Sequence, residues 1–144
     1  MLFRSHKIRV LPYLEAVVFA IPLAHAFGRI GCFMGGCCYG KPYDGIFSVT
    51  FTESLIAPNG VPLIAVQLIE SALLFVLALV VFLVGRKRPH ATIVVYLTGY
   101  AVLRFFTEFL RYDDAERGVW FGLSTSQYVS LGMLAAMADR KSVV

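Results

Sequence analysis

His25-Ala26-Phe27-Gly28-Arg29-Ile30-Gly31-Cys32-Phe33-Met34-Gly35-Gly36-Cys37-Cys38-Tyr39-Gly40-Lys41 is the stretch on which the reading of the chain turns. An arginine sits near the end of an apolar run, and a cluster of glycines and cysteines follows it. A packed water-soluble core requires no such sequence. The remainder reads as apolar scaffold, or as a second set of charges able to face this stretch.

The composition sets the solvent. Of 144 residues, 58% are hydrophobic and 15% charged, with a mean hydropathy of +0.74. A soluble domain of this size carries about 25% charged residues, so the shortage points to a bilayer. The net charge of +4 lies mostly at the chain ends and between apolar runs. No basic stripe interleaves with aromatics, so nucleic acid is not the expected partner. The opening Met1-Leu2-Phe3-Arg4-Ser5-His6-Lys7-Ile8-Arg9 is basic, but the run after it is too long for a signal peptide and lacks a small-residue cleavage site. An uncleaved, multi-spanning protein is expected.

A spanning helix needs about 20 mostly apolar residues. Four stretches qualify: 11–34, 62–84, 91–110 and 120–138. Basic residues cluster before the first (Arg4, Lys7, Arg9), between the second and third (Arg86, Lys87, Arg88, His90) and after the fourth (Arg140, Lys141). Four crossings put all three clusters on one side, which the positive-inside rule identifies as the cytoplasm. The expected fold is therefore a single all-α membrane domain over 1–144, with four transmembrane helices and both termini cytoplasmic. Within the outer loop, Phe47, Val49 and Phe51 alternate with Ser48, Thr50 and Thr52, the period of a strand. Pro58-Asn59-Gly60 signals a turn. A short β-like hairpin between helices one and two is expected, with Tyr39, Tyr43 and Trp120 at headgroup depth.

Charge within a span costs at least about 2.5 kcal/mol near the helix centre and persists mainly where it has a task. Glu15, Arg29, Glu70, Arg104 and Glu108 lie in or at the edge of spans. Tyr100, Arg104, Glu108 and Arg111 recur at helical spacing and form a polar stripe, which must face protein or a wet cavity. Two arginines in the outer half of a membrane suit an anion, because guanidinium holds phosphate with paired hydrogen bonds and keeps its charge in low dielectric. The anion most available there is a phospholipid headgroup. Gly28, Gly31, Gly35, Gly36 and Gly40 permit close backbone approach. Blander readings compete at each position. Arg104 with Glu108 can be an intrahelical ion pair, and Arg29 can snorkel to headgroups. Gln67 and Glu70 can be interhelical glue, Glu15 interfacial, and His25 a packing residue. Cys32, Cys37 and Cys38 offer three sulfurs where a structural zinc site wants four ligands. A Cys32 disulfide to either neighbour is open in an oxidising compartment, as is a role as small apolar filler.

Gly28-Arg29-Ile30-Gly31-x-Phe33, with Gly36 and Tyr39-Gly40 behind it, resembles the signature of prolipoprotein diacylglyceryl transferases. Three further stretches match in order: Gln67-Leu68-Ile69-Glu70 after Pro62; Gly99-Tyr100 to Arg104 with Glu108-Phe109-x-Arg111 and Asp113; and Gly122-Leu123-Ser124 with Gln127. Cys32 stands where the signature has Asn, Cys37 where it has Glu, and Lys41 where arginine is usual. Family members are longer, with additional upstream spans that include a His-Gly-Gly region and a proposed base, so this chain is expected to correspond to the C-terminal part. The resemblance implies a multi-pass enzyme of the bacterial inner membrane that needs no cofactor and no metal. It would transfer diacylglyceryl from phosphatidylglycerol to the lipobox cysteine of a preprolipoprotein signal peptide. Arg29 and Arg104 would clamp the phosphate, and Tyr100 and Glu108 would orient them or the glycerol. Gly28, Gly31, Gln67 and Glu70 would line the substrate, Gly40 would keep the pocket open, and Arg111 would attend its mouth. The alternatives are a non-catalytic phospholipid-binding membrane protein, or a membrane thiol or redox protein using Cys32, Cys37 and Cys38.

Overall fold

A computed structural model describes residues 10–112, 119–120 and 123–141. Arg4, Lys7, Arg9, Asp113 and Gly122 lie outside them, as do the side chains of Trp120, Arg140 and Lys141. The described residues are mostly helical. In order they form α1 (Val10–Val17), α2 (Ala20–Met34), β1 (Ser48–Thr50), β2 (Pro62–Ile64) and α3 (Val66–Lys87). A 3-10 turn (Pro89–Ala91), α4 (Thr92–Glu108), β3 (Val119–Trp120), β4 (Leu123–Ser124) and α5 (Thr125–Lys141) follow.

The expected first span is interrupted once. Pro22 has no N–H to give to the Val18 carbonyl. The Ile21 N–H bonds that carbonyl instead, at 3.2 Å, and Val18 and Phe19 form a turn between α1 and α2. Tyr13–Met34 nonetheless keeps the length and apolarity needed to cross a membrane, as does Val66–Lys87. At 1.5 Å per residue each 22-residue stretch reaches about 33 Å. The second and fourth runs begin differently from the expectation. Pro62–Ile64 is a strand, and the helix starts only at Val66. Trp120 and Ser124 likewise lie in short strands ahead of α5. In both places the first residues of the apolar run give their backbone groups to a neighbouring segment.

The β-like loop is a true antiparallel pair, with Ser48 opposite Ile64, Val49 opposite Leu63 and Thr50 opposite Pro62. Its turn is fixed by Asn59, whose Oδ1 accepts from Ser54 N–H at 2.8 Å and whose amide donates to the Ser54 carbonyl at 3.0 Å. Gly60 N–H closes onto the Phe51 carbonyl at 2.8 Å.

α3 is the central helix. It packs against α2 on one side and α4 on the other, and α5 packs on α4. Val18, Ala26, Leu74, Leu77 and Val81 form the buried core, bordered by Phe19, Phe75, Tyr96 and Leu103. Edge-on ring pairs Phe19–Phe82 (5.5 Å) and Phe27–Phe75 (5.3 Å) lock the α1–α2 turn and α2 onto α3. Leu73, Val76, Leu79, Val80 and Leu83 are exposed on α3. That outward apolar surface suits hydrocarbon as its neighbour. α3 ends at Arg86-Lys87, cations placed where the helix dipole favours them, and Pro89 follows. Near this end Glu15 is buried, its Oε1 3.0 Å from His90 Nδ1. It is bound to the 3-10 turn, beyond the interfacial role its sequence position suggests.

Candidate functional site

The site assembles at the hairpin end of the helices, beginning with the way α2 stops. Gly36 N–H bonds the Phe33 carbonyl and Cys37 N–H bonds the Cys32 carbonyl, both at 3.1 Å. This is the paired 5→2 and 6→1 pattern of a Schellman cap, with Gly36 in the left-handed region at φ +64°. Only glycine suits that position: the φ is unfavourable for other residues, and an added Cβ would run into Ser54. The cap turns the chain so that Cys37 returns to Cys32. Cys38 then adopts φ +59°, unusual outside glycine. The three Sγ atoms lie within 4.8 Å of one another, and all three thiols are free. Gln67 on α3 braces the loop, its Nε2 donating to the Cys37 carbonyl at 2.7 Å.

Beside this loop, three helices contribute charge to one point. Glu70 of α3 receives Arg29 of α2 and Arg104 of α4. Arg29 Nε lies 2.7 Å from Glu70 Oε2, and Arg104 Nη1 lies 3.0 Å from Glu70 Oε1. Arg104 Nη2 is also 3.0 Å from Glu108 Oε2, one turn along its own helix. Only the Arg104–Glu70 contact is aligned as a hydrogen bond; the Arg29–Glu70 and Arg104–Glu108 contacts are ion pairs with poor angles. Glu70 and Glu108 are almost wholly buried, and each arginine side chain is 12% exposed. Two cations and two carboxylates balance, which lets the cluster exist away from water. Gln67 Oε1 is buried and has no hydrogen-bond partner among the described residues.

The other expected site residues divide. Tyr100 lies on the α4 face toward α2, its ring 5.6 Å from that of His25 and 6.0 Å from that of Tyr96. Gly28 and Gly31 are exposed on α2 with open space where a Cβ would be. Gly40 has the opposite surroundings. Its N–H bonds the Ile64 carbonyl at 3.1 Å, it bridges Arg111, and a Cβ there would come within 2.8 Å of Ile64 Cβ and 2.9 Å of the Leu110 carbonyl. Gly40 thus permits three backbones to meet. Arg111, fully buried, hydrogen-bonds Cys38. Burial pushes the Cys38 thiol up, but the Arg111 guanidinium, its hydrogen bond and the Arg29 charge outweigh this and hold it below the usual thiol range. Cys37 is pushed up to about 11 by burial and by the adjacent sulfurs.

Ser124 and Gln127, quoted from the sequence only as part of a matching motif, and Ser126, absent from it, also join the site. Ser124 Oγ donates to Glu108 Oε1 at 3.0 Å, Ser126 Oγ lies 3.5 Å from Arg104 Nη2, and Gln127 accepts from the Ser124 N–H at 2.9 Å. Their signal was the run of small polar residues opening the last apolar stretch. The Schellman cap was also legible, in Gly36 with cysteines three residues before the α2 cap and two after it.

Comparison with known proteins agrees with the motifs. The family model for prolipoprotein diacylglyceryl transferase matches residues 1–138. A phosphatidylglycerol–prolipoprotein diacylglyceryl transferase of Clostridium tetani is 44% identical over 124 residues, covering 85% of this chain and 49% of that protein. Transferase 2 of Clostridium perfringens is 40% identical over 132 residues, covering 90% and 51%. The transferase of Chlorobaculum tepidum is 32% identical over 141 residues, covering 92% and 46%. The chain spans about half the length of the curated relatives it matches. No solved structure matches.

Proposed function

The chain belongs to the prolipoprotein diacylglyceryl transferase family, and from that premise we propose that it moves the diacylglyceryl group of phosphatidylglycerol onto the lipobox cysteine of a preprolipoprotein signal peptide. The acceptor thiol gives up its proton and attacks a glyceryl carbon. The bond from that carbon to the phosphate oxygen breaks, its electron pair leaves with glycerol 1-phosphate, which takes up the proton overall, and a thioether forms. The step needs fixed positive charge where the phosphate takes up the departing electrons.

The observation that supports this reading is the convergence of Arg29 and Arg104, from separate helices, on Glu70. Glu70 and Glu108 hold the guanidiniums in place, and Arg29, paired through its Nε, keeps its Nη groups for a phosphate. Tyr100 orients the glycerol. Gly28 and Gly31 leave room beside Arg29 for the lipid, and Gln67 fixes the loop that carries the cysteines. Gly40 acts by letting the backbone carrying Arg111 close against it. The chain is read as one inner-membrane domain of four crossings with both termini cytoplasmic. The basic Arg86–His90 connection on the side opposite the hairpin supports that orientation.

The test is expression in a membrane containing labelled phosphatidylglycerol, with a lipobox peptide added. The expected product is the labelled thioether, lost in R29Q and R104Q. Its absence at matched expression overturns the assignment. A phospholipid-binding protein without transfer is the second reading, favoured by the pairing of both guanidiniums with carboxylates. Arginine-dependent lipid binding without any thioether would select it.

A further inference from the structure

We propose that Cys32, Cys37 and Cys38 form a binding site for one thiophilic metal ion, zinc or cuprous copper, held by three thiolates. The charge cluster does not use these sulfurs, and the site stands whether or not the chain transfers lipid.

Two features of the backbone bring the sulfurs together, and a side chain from α3 holds the loop that carries them. The Schellman cap of α2 places Cys32 and Cys37 at the two positions whose side chains this motif brings into contact. The left-handed conformation of Cys38, φ +59°, turns the next side chain to the same place instead of to the opposite side. Gln67, from α3, ties the loop down through the Cys37 carbonyl at 2.7 Å. All three Sγ atoms fall within 4.8 Å of one another. Zinc–sulfur bonds of about 2.3 Å put tetrahedral sulfurs about 3.8 Å apart, so closure needs only side-chain adjustment on a fixed loop.

The chemistry of the donors selects the ion. Three thiolates suit zinc and cuprous copper and disfavour magnesium and calcium. Zinc takes a water as its fourth ligand, and cuprous copper is satisfied by three. Binding replaces three S–H bonds by three S–metal bonds and releases three protons, with no change of oxidation state for sulfur or metal. Three thiolates exceed the charge of either ion. Arg111, against Cys38, and the nearby Arg29 compensate the excess.

The experiment uses the full chain, reduced, in detergent micelles. Cobalt(II) is titrated first as an optical probe, then displaced by zinc; cuprous ion is titrated separately against a chromophoric chelator. The expected result is one metal per chain, thiolate-to-cobalt charge-transfer absorption, and a loss of affinity of about 100-fold or more in each of C32S, C37S and C38S. Circular dichroism identifies variants that keep their helix, and the unsubstituted chain supplies stoichiometry and spectrum without any variant. Affinity weaker than that for free cysteine, absence of the charge-transfer bands, or affinity unchanged in C38S overturns the proposal. So does isolation of the chain with two of the three sulfurs joined, seen as two missing hydrogens in its mass spectrum.

Discussion

In its first two turns α3 buries Gln67, Glu70 and Ser71 beside Val66; beyond them the same helix buries only apolar residues, Leu74, Leu77, Ala78 and Val81. At the hairpin end its neighbours are guanidiniums, a loop carbonyl and a helix carbonyl. At the other end they are Val18, Phe19 and Tyr96. The first region is fixed by directed contacts between charged or polar atoms, and removing one partner leaves the others orphaned. The second is fixed by shape, where neighbours can relax into lost volume. One helix thus carries a charged and polar layer that tolerates little change and an anchoring layer that tolerates more.

Substitutions along α3 measure this contrast. The largest effect is expected at E70Q. The amide keeps the size but leaves two buried cations with one fewer carboxylate, a loss of about 3–5 kcal/mol by the usual cost of orphaned buried charge. Thermal unfolding in detergent should record the loss, and thioether formation should fall about 100-fold or more. Next comes L74A, which opens a cavity in the anchoring layer and should cost about 2–5 kcal/mol. Transfer per folded molecule should remain as in the unsubstituted chain; if it collapses with stability, the two layers are not separable. A smaller, tenfold difference is expected in the metal-free chain under alkylation at about pH 8, where only thiolate reacts. Cys38, held low by Arg111, should be modified at least about tenfold faster than Cys37, whose thiol remains protonated until higher pH. Peptide mapping reads the order, and equal rates would remove the electropositive character claimed for this end. The smallest effect belongs to S71A. The lost bond from Ser71 Oγ to the Ala26 carbonyl, 3.0 Å, should cost about 0.6 kcal/mol, the average for interhelical hydrogen bonds in membrane proteins.

Much of the site was visible in the sequence because charge is conspicuous in an apolar chain. Arg29, Glu70, Arg104 and Glu108 stand out where each is costly, and the four-residue spacing of Arg104 and Glu108 puts them on one face. The hairpin followed from alternation and a turn triplet. Their meeting at Glu70 was not legible, because interhelical glue and a two-arginine clamp predict the same residues. Glu15 was assigned from its depth alone, and its contact with His90 joins positions 75 residues apart. Gly40 illustrates the same limit. Glycine announces a close approach, but whether ligand or backbone arrives depends on Ile64 and Leu110, which carry no local signal.

The order in which the chain is made gives the Glu70 junction a further consequence. Arg29 leaves the ribosome about 40 residues before its carboxylate and about 75 before Arg104. At about 5–20 residues per second, its helix waits roughly 2–8 seconds for the carboxylate and 4–15 for the second arginine. Throughout that interval the segment carries a lone cation during insertion, at a cost of about 2.5 kcal/mol or more if placed centrally. Until Glu70 arrives, the apolar residues of α2 help to offset this cost. Glu70 therefore neutralises retroactively a segment already delivered to the membrane.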